Sequence, residues 1–293
     1  MKIHRYAIVA IVLSLAAGAL AIGGRAAADY ANPHLLVETG ELAQHQGQTD
    51  LKVLDVRPKE AYDKGHIPGA QHLGADDVID PDSHVPGDLK PATELAAMLS
   101  ARGIGKDTQV VLYDDKGGFH AARLFWMLES LGHNKAAILN GGIPKWVQEG
   151  RPLSTEAPQV APARFAITPI PRRIATADWL LDRRSDSSVV VIDVRPAKLY
   201  NAGHIPWARN IAWKQNLNED STMKSAPALI RHFESHGVTA DKNIAVHCQN
   251  GKAAAHSYFA LRLLGYPRVR SYDRSWAEWG AADDLPKAVE SEG

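Results

Sequence analysis

The sequence predicts an α/β protein with two tandem domains, each a mostly parallel sheet flanked by helices on both faces. The first observation is an internal repeat: residues 53–73, VLDVRPKEAYDKGHIPGAQHL, match residues 191–211, VIDVRPAKLYNAGHIPWARNI, without a gap at an offset of 138. The second is that short apolar runs alternate with amphipathic stretches in both copies. Strands that alternate with helices indicate a parallel sheet covered on both faces.

Each predicted strand is a continuous run of Val, Ile and Leu, which is typical of a parallel strand buried on both faces. The strand runs are residues 51–56, 109–113, 189–194 and 243–247. The helical patterns are residues 95–102, 121–131, 226–236 and 254–264. In such folds, sites form at the carboxyl ends of the strands, so the residues that follow these runs are the first candidates for function.

The repeat also predicts the domain boundaries, at residues 32–150 and 173–287. Later in the two copies the offset falls to 133, so the first copy carries five extra residues, which we place in the loop 76–90. Residues 151–172 contain five prolines and predict an extended, semi-rigid linker. Phe165 and Ile167 alternate in that linker as in a strand, which predicts that it lies across both domains.

Residues 1–28 have the order of a secretory signal peptide. Lys2 and Arg5 precede an apolar stretch over residues 6–24, and small residues follow at 26–28. The alternative is an uncleaved membrane anchor, since the stretch is close to the length that spans a bilayer. Its many Ala and Gly residues favour cleavage, which predicts a periplasmic or secreted protein with no membrane attachment afterwards.

Composition and charge exclude several classes of protein. Apolar residues make up 45% of the chain and charged residues 23%, which is typical of a globular protein. The 33 basic and 33 acidic residues balance, so nothing indicates a nucleic acid or an anionic membrane as a partner. We expect a monomer.

The single cysteine, Cys248, stands at a strand-to-helix corner. It follows the run 243–247 and precedes a helix predicted from residue 254. Unpaired backbone N–H groups at such a helix start favour negative charge, and a thiol placed there loses its proton more easily to give the nucleophilic thiolate. Gly251 permits a tight loop, and Lys252 adds positive charge. The alternative is a small buried cysteine without a role.

Three motifs together resemble a tandem-domain rhodanese, a sulfurtransferase, and an exported bacterial member in particular. They are the paired D-V-R-P and G-H-I-P segments, the C-Q-N-G-K-A loop at 248–253, and S-Y-D-R-S-W-A-E-W at 271–279. The resemblance implies that the first domain is not catalytic and that the second carries the nucleophile. It implies double displacement, in which Cys248 takes a sulfane sulfur from a donor, becomes a persulfide and passes the sulfur to cyanide or a thiol. It implies no metal and no organic cofactor.

Cys248 is therefore the predicted catalytic residue. The predicted substrate-binding residues are those of the loop and one arginine of the D-V-R-P segment: Gln249, Asn250, Gly251, Lys252, Ala253 and Arg195. At an offset of 133, Cys248 falls on Asp115, which suggests that Asp115 stands in the place of the nucleophile in the first domain. We expect the thiol to be exposed.

Several positions depart from the family's patterns and leave the donor open between thiosulfate and 3-mercaptopyruvate. The thiosulfate type has a basic residue two places after the cysteine, where this chain has Asn250, and single-domain relatives have an arginine at the place of Ala253. Many tandem members also have an arginine where Leu199 stands. A persulfide carrier without small-donor turnover is the alternative function. A phosphatase on the same fold would need an arginine at Ala254.

Overall fold

The structure, a computed structural model, describes residues 29–290. The predicted signal peptide at residues 1–28 lies outside them. The strands are β1 Leu36–Val37, β2 Leu51–Asp55, β3 Gln71–His72, β4 Gln109–Tyr113, β5 Ala136–Leu139, β6 Ile174–Ala175, β7 Val189–Asp193, β8 Ala208–Asn210, β9 Asn243–His247 and β10 Val269–Tyr272. The helices are α1 Thr39–His45, α2 Lys59–Lys64, α3 Ala92–Ala101, α4 Ala121–Ser130, α5 Gly142–Gln148, α6 Ala177–Asp182, α7 Ala197–Asn201, α8 Ala226–Ser235, α9 Lys252–Leu263 and α10 Ser275–Trp279.

Two five-stranded parallel sheets confirm the predicted fold class. The strand orders are β1-β5-β4-β2-β3 and β6-β10-β9-β7-β8, and every pairing is parallel. β4 and β9 take the same central place in their sheets, each between two neighbours. The loops that follow them therefore leave from the carboxyl edge of each sheet, where sites form in such folds.

The extra residues of the first copy are divided between two loops, which corrects the prediction that all five lie in residues 76–90. The offset is 138 at β2 and β7, but 134 at β4 and β9, because Asp55 pairs with Tyr113 as Asp193 pairs with His247. It falls to 133 only beyond these strands, where Gly132 corresponds to Gly265. The segment from the end of β4 to Gly132 is thus one residue longer than the segment from the end of β9 to Gly265.

The linker is extended but forms no strand, contrary to the alternation of Phe165 and Ile167. Its backbone bonds to the first domain, where the N–H groups of Ala163 and Thr168 donate to the carbonyls of Ser100 and Leu131. Phe165 is buried and stacks on His133, with 5.9 Å between the ring centroids. The side chain of Phe165 therefore anchors the linker to the first domain.

The two domains share one apolar core, which forms where α4 packs against α9. Phe125 and Phe259 meet edge to face with 5.0 Å between their centroids. At the far end of the same helix pair, the Nη2 of Arg262 donates to Glu129 over 2.9 Å. No helix within residues 29–290 combines the length and the apolar character that a bilayer crossing requires.

Candidate active site

Cys248 lies directly after β9 and is part of the apolar core that the two domains share. Only 2% of its surface is exposed, so the expectation of an exposed thiol is wrong. Its backbone N–H donates to the Oγ of Ser275 over 3.0 Å, and that hydroxyl lies 4.0 Å from the thiol Sγ. The first domain packs against the cysteine loop, with Gly87 against Asn250 and Asp76 against Lys252, and the second copy of the repeat alone does not predict this.

Six consecutive backbone N–H groups, from Gln249 to Ala254, have no hydrogen-bond partner among the residues the structure describes. They run from the loop into the first turn of α9, which begins at Lys252, two residues earlier than predicted. Gly251 makes this early start possible because it precedes the helix with φ +83°, a left-handed conformation that other residues rarely adopt. Unpaired N–H groups of this kind form an anion-binding site.

The corresponding loop of the first domain contains its own anion. The Oδ1 of Asp114 accepts hydrogen bonds from the N–H groups of Lys116 and Gly118, and its Oδ2 accepts from those of His120 and Ala121, at 2.6–3.0 Å. Asp114 is fully buried. One carboxylate thus satisfies four amides whose counterparts after Cys248 are free.

Asp114, rather than Asp115, occupies the place of Cys248, which corrects the prediction. The strand register brings Asp114 and Cys248 to the same position after β4 and β9. The carbonyl of Asp114 accepts from Ile143 N–H over 3.0 Å, and that of Cys248 accepts from Trp276 N–H over the same distance. Asp115 is exposed.

The turn after β10 supports the cysteine loop, and its role was missed in the sequence. Ser275 has φ +54°, a left-handed conformation unusual for a residue with a side chain, while Gly142 takes the same place in the first domain with φ +58°. The Ser275 hydroxyl donates to Tyr272 O over 2.8 Å while it accepts from Cys248. The signal was present, because S-Y-D-R-S-W was already one of the motifs.

The first domain covers the cysteine loop with its segment 76–90. A Cβ built on Gly87 would lie 2.7 Å from the carbonyl oxygen of Asn250, so only a glycine fits there. The Nζ of Lys252 pairs with Asp76. The hydrogen bond from Lys252 lowers the pKa of the Asp76 carboxyl.

The structure brings together five of the six predicted substrate-binding residues, since these form the loop itself. Gln249 is exposed, Gly251 is buried, and the other three are half-buried: Asn250, Lys252 and Ala253. In contrast to the predicted donor contact, the guanidinium of Arg195 is buried against Asp193, with 2.6 Å from its Nη2 to the carboxylate and 2.6 Å to Gly203 O. Arg57 and Asp55 form the same pair in the domain without a cysteine. We therefore assign Arg195 a structural role.

Two further groups set the electrostatics of the site. His247 is buried beside Asp193, 3.7 Å from Nε2 to the carboxylate, and burial lowers the pKa of its imidazole, so it is neutral at pH 7. Burial also lowers the pKa of Arg123, a residue of α4, to about 10, so this arginine stays charged.

No group of three or more His, Cys, Asp or Glu side chains within residues 29–290 is arranged to hold a metal ion.

Comparison with known proteins identifies the family to which this chain belongs. The rhodanese-like domain matches the chain twice, at residues 38–149 and 176–282. The sulfur carrier protein TtuD of Thermus thermophilus is 39% identical over 282 residues, which cover 88% of this chain and 98% of TtuD. The thiosulfate sulfurtransferase of Azotobacter vinelandii is 31% identical over 266 residues, covering 88% and 98%. The crystal structure of SseA from Escherichia coli, described as a 3-mercaptopyruvate sulfotransferase, superposes with a TM-score of 0.76 at 29% identity and covers 83% of this chain and 98% of its own.

Proposed function

Because this chain belongs to the rhodanese-like domain family, we propose that it is a sulfurtransferase that carries sulfane sulfur on Cys248 as a persulfide. The observation that carries the proposal is the set of six free N–H groups from Gln249 to Ala254, next to the only cysteine of the chain. A thiolate and a persulfide are both anions, and such amides stabilise either one.

The proposed reaction is a double displacement. The Cys248 thiolate attacks the outer sulfur of thiosulfate, the S–S bond of the donor breaks, and sulfite leaves with the bonding electron pair. An acceptor such as cyanide or a thiol then attacks the outer sulfur of the persulfide, which releases thiocyanate or a new persulfide and restores the thiolate. With 3-mercaptopyruvate the C–S bond of the donor breaks instead, and pyruvate leaves after taking up a proton.

The loop residues have two roles in this scheme. Backbone N–H groups bind the anion at four positions of the loop: Gln249, Asn250, Gly251 and Ala253. Because the backbone makes these contacts, the side chains at these positions need no charge. Lys252 adds a charge at the rim that attracts anionic donors. Ser275 holds the Cys248 backbone so that these amides stay in place.

A persulfide carrier that hands its sulfur to a protein partner is the second candidate. It is favoured by TtuD, named a sulfur carrier protein and 39% identical to this chain. Multiple turnovers of thiocyanate release from thiosulfate and cyanide support the enzyme. A single stoichiometric release supports the carrier.

The test is the intact mass of the protein after incubation with thiosulfate or with 3-mercaptopyruvate. We expect a gain of one sulfur atom, about 32 Da, as for any persulfidation. The gain should be reversed by cyanide and be absent in Cys248→Ser. A mass gain that persists in Cys248→Ser, or turnover by that variant, would refute the proposal.

We also propose that the protein is exported and that residues 1–28 are removed. The proposal is supported by the basic start, the apolar stretch and the three alanines before Asp29. Fractionation of expressing cells and the mass of the mature protein test it. A full-length chain that stays with the membrane fraction would favour the anchor instead.

A further inference from the structure

Arg123 reaches from the first domain to the underside of the cysteine loop. It lies on α4 and is fully buried. Its Nη2 donates to Gly87 O over 2.6 Å and to Asp273 Oδ2 over 3.0 Å, and its Nη1 pairs with Asp273 as well. A Cβ built on Gly251 would overlap this Nη1. The guanidinium therefore supports the backbone that begins α9.

Burial of the Arg123 guanidinium costs free energy, because the charged group loses its hydration, so other interactions must offset this cost. The Nε of Arg123 has no hydrogen-bond partner within residues 29–290. The contacts with Gly87 and Asp273 therefore do not satisfy the whole group. An apolar residue would pack against Trp126, which lies 5.5 Å from the guanidinium carbon, without this cost.

The matching contact on the other side of the interface is neutral. His256 takes the place of Arg123 on α9, and its Nε2 donates to Gly117 O in the loop of Asp114 over 3.1 Å. Burial lowers the pKa of His256 to about 4, so the ring is uncharged at pH 7. Asn140 takes the place of Asp273 in the first domain. The corresponding contact with the cysteine loop is made by a charged side chain, Arg123, which is paired with Asp273.

The other cations of the site are already paired. Lys252 pairs with Asp76 of the first domain, and Arg195 pairs with Asp193 at the end of β7. The guanidinium of Arg123 lies against Gly251, three residues after Cys248 in the same loop, and a positive charge so close to the loop favours an anion there.

We propose that Arg123 is a positioning residue, supplied by the non-catalytic domain, that fixes Gly251 and stabilises negative charge on Cys248. The inference rests on the proposed function, in which Cys248 carries that charge. It gives the first domain a part in the chemistry through α4.

The ionisation of the single thiol measures this effect directly, through the ultraviolet absorbance of the thiolate as a function of pH, with Cys248→Ser subtracted. The titratable and charged groups on the elements around the loop are Arg123, Asp273, Lys252 with Asp76, Arg274 with Asp88 and Glu278, His247 with Asp193, and the first-domain residues Lys116 and His120 beside Asp76. The variants below change only the first two.

Two variants should move the midpoint of thiolate formation in opposite directions. Arg123→Gln leaves Asp273 without its cation and should raise the midpoint by about one pH unit, the usual size of a shift caused by one nearby charge. Asp273→Asn leaves the arginine without its anion and should lower the midpoint. The double variant, which leaves neither charge unpaired, should fall between them.

Arg262→Gln is the matched control, because it breaks another pair between α9 and α4, with Glu129, at the far end of the interface. It should leave the midpoint unchanged. Equal midpoints in both single variants, or an equal shift in Arg262→Gln, would overturn the proposal and leave Arg123 as a brace between the domains. If Arg123→Gln does not fold, Asp273→Asn and the double variant decide.

The titration needs no sulfur donor. A protein that shows the opposed shifts but gains no sulfur refutes the proposed function alone, whereas one that gains sulfur without the shifts refutes the role of Arg123 alone.

Discussion

The loops after β4 and β9 differ in the origin of their negative charge. In the first domain the carboxylate of Asp114 is part of the chain and is held permanently by four amides. In the second the amides are free and the side chain is a thiol, which becomes an anion only when it ionises or carries sulfur. Corresponding backbone segments thus bind a carboxylate of the chain itself in one copy and leave their N–H groups free in the other.

The largest effect should come from removing the built-in anion. Asp114→Ala leaves four N–H groups without a partner, and two of them, those of Gly118 and Ala121, are buried. Hydrogen bonds to a charged group each contribute about 1.5–3 kcal/mol without adding fully, so we expect a loss of about 3 kcal/mol in the free energy of unfolding. Urea denaturation measures it. Asp115→Ala is the control and should change stability by less than about 0.5 kcal/mol, since its side chain is exposed. Equal losses in the two variants would show that the amides do not depend on Asp114.

The neutral histidine His256 predicts that the free energy of unfolding depends on pH. Burial holds the pKa of this histidine at about 4 in the folded protein, against about 6.5 in an unfolded chain. Because the folded state favours the neutral ring, the contribution is full above pH 6.5 and is lost as pH falls towards 4, up to about 3 kcal/mol. His256→Gln retains an N–H for Gly117 and should remove this part of the acid sensitivity, measured as unfolding free energy at neutral and acidic pH. If His256→Gln and the unchanged protein lose stability equally at acidic pH, His256 does not cause this acid sensitivity.

Copying the carboxylate into the second loop should give a smaller gain. Cys248→Asp supplies a permanent anion to the free amides, so we expect it to be more stable than Cys248→Ser by about 1 kcal/mol, the value of a typical added hydrogen bond. It should also gain no sulfur from thiosulfate. Thermal unfolding of the two variants makes the comparison. A variant less stable than Cys248→Ser would mean that these amides do not converge on residue 248.

The smallest effect is expected from Lys252, which pairs with Asp76 at the edge of the cysteine loop. Lys252→Ala should raise the Michaelis constant for thiosulfate about two- to threefold at low salt with little change in turnover number, because a partly exposed charge is screened. Asp76→Asn frees the lysine and should lower the Michaelis constant. If Lys252→Ala and the unchanged protein have the same kinetics and salt dependence, the lysine does not help to bind the donor.

Local patterns in the sequence predicted the strands and the cysteine corner, because a buried parallel strand is a continuous apolar run and the loop follows at once. Arg123 and its partner Asp273 are 150 residues apart, so no local pattern predicts their contact. The available signal was an arginine inside the apolar segment 121–131. The sequence predicts Asp115 rather than Asp114 because its offset of 133 comes from residues beyond the loop, whereas the strand register shows that the offset is still 134 at the ends of β4 and β9.

The cover over Cys248 also limits what can reach the thiol. With 2% of its surface exposed, the sulfur of one molecule cannot come within bonding distance of the sulfur of another while the domains stay closed. The protein should thus remain free of intermolecular disulfides in air-exposed solution. A folded partner's thiol faces the same barrier, so the acceptors that fit best are small molecules or the thin, extended end of a chain.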